Sequence, residues 1–249
     1  MILLEVKDVW MTYIQDKVKI TVLKNINFLV NQREFICITG PSGCGKSTIL
    51  KIITGLMPPT KGRVLFKGCD VDPANSQVSL VFQNFALLPW LTTEGNIRIA
   101  LEAMKLDKKE VDKRVHKFIE VVGLGGFENA YPRELSGGMK QRVGIARALA
   151  VYPTLLCMDE PFSALDQFTA ENLREELLML WGDETLPPDA VIMVTHNIEE
   201  AVSLADRILV VSHRPGTILE DIKIDLPRPR DKKSKEFYDI VDKVYTLIT

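Results

Sequence analysis

The sequence predicts an α/β fold: a mainly parallel sheet flanked by helices, an N-terminal antiparallel β subdomain and an inserted helical subdomain. Three observations carry this reading. Short apolar runs recur at 34–39, 77–83, 154–160, 190–196 and 207–212, the pattern of strands buried on both faces. Helical patterns lie between the last three of them, as parallel strands require. From 84 to 153 no run reads as a strand, and 96–122 is charged and helical.

Taken in order, Leu3 to Tyr13 and Val18 to Val30 are rich in β-branched and aromatic residues and read as antiparallel strands. "EFICIT" (34–39) is a buried strand, followed by a glycine-rich turn and the helix "KSTILKIITGL". Ile49, Leu50, Ile52, Ile53 and Leu56 share one side of that helix, and Gly55 with Pro58-Pro59 stops it. The tail opens with the proline-rich "LPRPR" and ends in an amphipathic helix. Its apolar stripe is Phe237, Ile240, Val241, Val244, Tyr245 and Ile248. The stripe reads as core packing, with a partner-docking face as the alternative. The chain therefore divides into an α/β core (1–83 and 151–215), a mostly helical subdomain (84–150) and a tail (216–249).

Composition excludes several classes. The 249 residues suffice for one domain with subdomains and a real core. Lys plus Arg is 31 against 33 Asp plus Glu, so no strong field points to nucleic acid or anionic lipid. "MILLEVKDVW" brings acid and lysine too early for a signal peptide. No stretch of about 18 apolar residues occurs, so any membrane role runs through a partner. Cys37, Cys44, Cys69 and Cys157 show no metal spacing and read as reduced, partly buried thiols. His116, in a charged helix, and His213, before an "RPG" turn, read as solvent-facing.

"GPSGCGKST" (40–48) fits G-x-x-x-x-G-K-[ST] between a strand and a helix. Gly40, Gly43 and Gly45 allow a backbone whose amides turn inward on a phosphate, with Pro41, Ser42, Cys44 and Thr48 completing the loop. Lys46 would reach the β and γ phosphates of a nucleotide and Ser47 would ligate Mg²⁺, which makes the core of the P-loop NTPase kind. "LLCMDE" (155–160) is an apolar strand ending in two acids. Asp159 is delivered toward the Mg²⁺ site, and Glu160 stands where it could deprotonate a water. A second anion site lies at "LSGGMKQR" (135–142): Ser136, Gly137 and Gly138 precede a helix from about Met139. Ser136, Gly137 and Gly138 bring no P-loop-type lysine and no metal ligand with them, which suits a half-site lent to another chain.

These elements, in this order, resemble the ATP-binding cassette (ABC) ATPases: P-loop, Gln83 after "SLVF", "LSGGMKQR", "LLCMDEP", "SALD" (163–166) and His196 in "VTHN". The resemblance covers nearly the whole chain. It implies a head-to-tail dimer of two copies in which the signature residues Ser136, Gly137, Gly138 and Gln141 of one copy close over ATP on the other. It further implies that Tyr13 stacks on adenine, a core tyrosine being the competing reading. Gln83 then touches Mg²⁺ and the attacking water, Asp159 supports Mg²⁺, and Glu160 is the general base. His196 is the switch histidine, and Asp166 communicates across the dimer. Departures from the family pattern are Asn197 after the histidine, Gln167-Phe168 after "SALD", and a longer "WGDETLPPDA". None removes a chemical group.

Within the family, "VFQNFALLPWLTTEGNI" (81–97) and "SHRPGTI...DLPRPR" (212–230) resemble ATPase subunits of bacterial importers for nitrate, sulfonates, taurine and bicarbonate. That implies permease subunits as membrane partners, an extracytoplasmic solute-binding protein acting indirectly, and a peripheral place on the cytoplasmic face of the cell membrane. Pro89 and Trp90 suit either a docking groove for the permease or ordinary helix packing. The rival class is a soluble ABC ATPase acting on nucleic acid or ribosomes. One cassette, no heptad arms and a slightly negative charge stand against it. A nucleotide-binding regulator without a transport role is the third reading.

Overall fold

The computed structural model describes residues 1–16, 18–73, 77–183 and 185–248. The chain forms two compact units, Met1–Asn75 with Ala190–Thr249, and Ser76–Asp189.

In the first unit, β1 (Ile2–Gln15) and β2 (Val18–Asn31) pair antiparallel, as their alternation predicts. β4 (Lys61–Phe66) adds to the other edge of β1, and the two-residue β5 (Cys69–Asp70) adds to β4. A second layer is built on β3 (Glu34–Thr39), buried at every position. It runs parallel to β8 (Ala190–Val194) on one side and β9 (Arg207–Val211) on the other, and β10 (Ile218–Lys223) closes antiparallel on β9. Runs such as Phe35-Ile36-Cys37-Ile38 have apolar residues toward both faces, and in the fold both faces are covered.

Strands β4, β5 and β10 fall where the sequence shows no strand signal. "KGRVLF" buries only Val64 and Phe66, and "ILEDIK" buries only Ile222. Their polar positions face outward on antiparallel sheets, so neither gives the apolar run that marks the central strands.

Three helices complete the unit: α1 (Lys46–Ile53), α6 (Ile198–Leu204) and α7 (Lys235–Ile248). α7 packs on α6 and β9 through Phe237 and Val244, both fully buried. Tyr245 is 57 % exposed, so the packed stripe is narrower than the periodicity suggests. The short α6 is held at both ends. Asn197 Oδ1 accepts the Glu200 N–H at 3.1 Å, an N-cap. At the other end Arg228 donates to Leu204 O, and Arg230 donates to Val202 O at 2.5 Å and Ala205 O at 2.7 Å. Arg228 also pairs with Asp206, whose other oxygen accepts the Phe35 N–H at the start of β3. The "PRPR" segment thus supplies the donors that the last turn of α6 lacks. Replacing Arg230 by methionine keeps the apolar stem and removes those donors. It is expected to lower stability by about 1–3 kcal/mol, read as a lower urea midpoint at unchanged m-value.

The second unit holds β6 (Val78–Val81) parallel to β7 (Leu155–Asp159), and the helices α2 (Thr93–Glu102), α3 (Lys108–Val121), α4 (Gly137–Ala150) and α5 (Gln167–Gly182). It takes in the helical stretch 84–150 together with both strands and α5. The charged stretch 96–122 is two helices, because Thr92 and Asp107 each cap a helix start, accepting from Gly95 N–H and Glu110 N–H. Asn96 is fully buried and ties down the preceding loop, accepting from Leu88 N–H and donating to the carbonyls of Leu88, Leu91 and Thr92. α4 is the most buried helix of the unit and packs on α2 and α3 through residues such as Val143, Ala146 and Leu149.

Candidate nucleotide site

The phosphate loop belongs to the first unit. It leaves β3 at Thr39 and enters α1 at Lys46. Two glycines are required by close approach. A Cβ on Gly40 would lie 2.4 Å from Val211 O, and one on Gly45, at φ +111°, would lie 2.6 Å from Leu23 Cδ2. Lys46 is 5 % exposed and donates to Gly40 O at 2.8 Å and Pro41 O at 3.0 Å. An ammonium has three donors, so one remains for a ligand. The α1 N-terminus has no side-chain cap and no acid in its first turn. Its amides and dipole therefore favour an anion, and the residues present fit a nucleotide phosphate. Arg214 donates to Gly43 O at 2.9 Å and braces the outer edge of the loop. The Cys44 thiol is buried, and desolvation pushes its pKa up. Cys44 thus serves the loop through its backbone.

Tyr13 is 36 % exposed and its hydroxyl donates to Met57 Sδ at 3.2 Å; the competing core reading does not hold. His196 follows β8 and is exposed, while the adjacent Thr195 is buried, donates to the Glu200 carboxylate and accepts from Asn197 N–H. Asn197, noted above as a departure, keeps the capping function an aspartate would have there.

In the second unit, β7 ends at Asp159 and the next residue, Glu160, takes a left-handed backbone at φ +45°. Such a conformation costs a residue other than glycine about 1–3 kcal/mol and persists only where its surroundings fix it. Those surroundings include Gln83 and Ser163. Gln83 Nε2 donates to Glu160 Oε2 at 3.3 Å and to Ser163 Oγ at 3.4 Å, and Ser163 Oγ donates to Glu160 O at 2.9 Å. Gln83 and Glu160, 77 positions apart, are thus brought together. Ser163, the first residue of "SALD", has no role in the motif reading, which takes only Asp166 from that element.

Asp166 caps α5 by accepting the Thr169 N–H at 3.0 Å, and these amide bonds hold its carboxyl below the usual range. Ser136 caps α4 by accepting the Met139 N–H at 3.2 Å, so the helix begins at Gly137, two residues earlier than expected. Ser136 and Gly137 are exposed, but Gly138 is buried against Thr169. Gln141 is fully buried, and neither amide atom has a hydrogen-bond partner among the described residues. The fold therefore separates Gln141 from Ser136 and Gly137. One helical turn carries it with Gly138 and Ile145 onto the packed face of α4. Pro89 and Trp90 are exposed, Trp90 to 68 %, which removes the helix-packing alternative. His116 and His213 are exposed, and Cys37, Cys44 and Cys157 are buried, as expected.

A cradle of backbone amides with a lysine folded into it, in a chain whose second strand-borne site is an acid–amide pair, belongs to the P-loop nucleotide-hydrolysing proteins. The sequence profile of the ABC transporter family matches residues 23–163. The chain belongs to that family and is an ABC ATPase. It is 40 % identical over 254 residues to the nitrate import ATP-binding protein NrtD of Synechocystis sp., covering 98 % of this chain and 94 % of the relative. To the aliphatic sulfonates import ATP-binding protein SsuB of Bacillus cereus it is 45 % identical over 225 residues, 90 % and 87 % of the two chains. Among solved structures it resembles the dimeric ATP-binding cassette MJ0796 in a post-hydrolysis state bound to ADP and Pi. The TM-score is 0.79 at 33 % identity, covering 90 % of this chain and 100 % of that one. No helix among the described residues is long and apolar enough to cross a membrane.

Proposed function

We propose that the chain is the ATP-hydrolysing subunit of an importer for a small solute of the nitrate, sulfonate, taurine or bicarbonate kind. The relatives are import ATP-binding proteins for nitrate and aliphatic sulfonates. The observation that carries the mechanism is the pair of unlike helix starts. One has a buried lysine; the other, at Ser136, has none. The Ser136 hydroxyl has its acceptor side taken by Met139 N–H and keeps its own O–H to donate. Such a half-site is useful to phosphate held on another copy, and the dimeric MJ0796 cassette supports that arrangement.

In this reading the P-loop residues 40–48 hold the triphosphate through backbone amides and Lys46, and Tyr13 offers its exposed ring to adenine. Ser136 and Gly137 contact the nucleotide of the partner copy. Gln141, buried as it is, acts by supporting α4 from within. Glu160 accepts a proton from the attacking water, which Gln83 and His196 help to orient, and Asp166 relays between the copies. Ser47, Asp159 and Gln83 would hold Mg²⁺, which in bound form neutralises charge on the phosphates. Among the described residues no group of three or more His, Cys, Asp or Glu is arranged to hold a metal ion.

The α/β core of 1–83 and 151–215 carries the nucleotide, and the helical subdomain of 84–150 presents Trp90 to a permease. The protein then sits peripherally at the cytoplasmic face of the cell membrane, and a solute-binding protein outside selects the cargo. Sedimentation tests the central step. With Mg-ATP, the Glu160→Gln variant is expected to run as a dimer, and adding Ser136→Arg should return it to a monomer that still binds ATP. A Glu160→Gln protein that stays monomeric at every concentration, alone or with its permease, would remove the reading.

A further inference from the structure

The loop that follows Gln83 is strained, and its strain is held by a side chain from α4. Phe85 and Ala86 both have left-handed backbones, at φ +63° and +45°, and neither is glycine. The Ala86 N–H donates back to Asn84 O at 2.7 Å, closing a three-residue turn with positive φ at its centre, a rare form. The Phe85 N–H donates to Phe82 O at 3.1 Å. Arg147 takes the two carbonyls of this turn as a fork: Nη1 donates to Ala86 O at 2.7 Å and Nη2 to Phe85 O at 2.8 Å. One turn earlier on α4, Gly144 lies against the same turn; a Cβ there would stand at contact distance, 3.6 Å, from Phe85 O, leaving no room for a larger side chain's branch. Gly144 and Arg147 share a face of the helix. The helix whose first turn is capped by Ser136 is therefore also the seat of the loop that carries Gln83.

We propose that Arg147 is a positioning residue for ATP hydrolysis. By clamping the Phe85 and Ala86 carbonyls, it fixes the loop that presents Gln83 to Glu160 and ties that loop to the signature helix. The inference rests on the role given to Gln83 above. The fork matters as much as the charge. A guanidinium donates two parallel bonds in a fixed plane, whereas a lysine ammonium is a point on a flexible stem and reaches carbonyls without fixing their plane. α4 has 14 residues and is about 21 Å long. A rod of that kind moves the Gln83 loop whenever its Ser136 end is drawn toward a partner's nucleotide.

The test is Arg147→Lys in the full-length chain, measured by steady-state ATP turnover and by amide exchange. Turnover is expected to fall about tenfold or more with KM for ATP within about twofold, and the Phe85 and Ala86 amides should exchange at least about tenfold faster. In a Gln83→Ala background the same change should cost no further turnover, because Arg147 acts through Gln83. Unchanged turnover and exchange in Arg147→Lys would overturn the proposal. So would a loss that multiplies undiminished on Gln83→Ala, since Arg147 would then be acting elsewhere. Wild-type turnover in Gln83→Ala alone removes the role of Gln83, and this inference with it; that result is read separately from the Arg147 variants. If Arg147→Lys does not fold, Gly144→Val crowds Phe85 O while leaving Arg147 in place, and should give the same pattern of low turnover, steady KM and fast loop exchange. Wild-type values there would overturn the proposal as well.

Discussion

Glu160→Gln is expected to bind Mg-ATP with near-normal affinity and to turn it over about 10²–10⁴-fold more slowly, the usual range for removing a general base. The substitution isolates the chemistry well. A glutamine has the same length and can still accept the Gln83 Nε2 hydrogen bond through its carbonyl oxygen. The bond from Ser163 Oγ goes to the backbone of residue 160 and is untouched. The capacity to take a proton is lost, together with the carboxylate charge. Single-turnover hydrolysis with excess enzyme separates the chemical step from product release. Near-normal rates in that experiment would remove Glu160 as the base and turn attention to His196.

Lys46→Ala is expected to weaken ATP binding by about 10–100-fold, the scale of one or two charge-assisted hydrogen bonds. The side chain has two duties here. It offers one donor outward, and it satisfies the carbonyls of Gly40 and Pro41 from within the loop. Alanine removes both, so a modest fall in thermal midpoint should accompany the fall in affinity. Titration of nucleotide well below that midpoint keeps the two effects apart. Unchanged affinity would contradict the assignment of 40–48 as the phosphate cradle.

Much of this architecture is legible in the linear sequence, for identifiable reasons. β3 and β8 declare themselves because their runs Phe35–Ile38 and Ala190–Val194 are apolar and buried throughout. The phosphate loop is legible because its chemistry lies within nine consecutive residues, with spacing set by backbone geometry. Strands β4 and β10 are hidden because each shows the interior only part of one face. Gln141 is misgrouped when the signature is read as a string, since the helix starting at Gly137 rotates it away from Ser136. Arg147 and Ser163 escape for another reason. Each binds backbone carbonyls, which every residue has, so nothing in the letters of the partner marks the contact. The Arg147 partners also lie 61 and 62 positions away. Exposure is equally invisible: only the fold shows that Tyr13 and Trp90 present their rings at the surface.

The arginine-capped end of α6 has a consequence for how this chain tolerates editing. His196 stands two residues ahead of a helix of only seven, and the far end of that helix is secured by side chains from positions 228 and 230. Cutting the polypeptide at residue 226 would remove the support of the helix that follows His196, although the cut lies thirty positions downstream. A fusion partner or affinity tag belongs after α7, where the anchor is left whole.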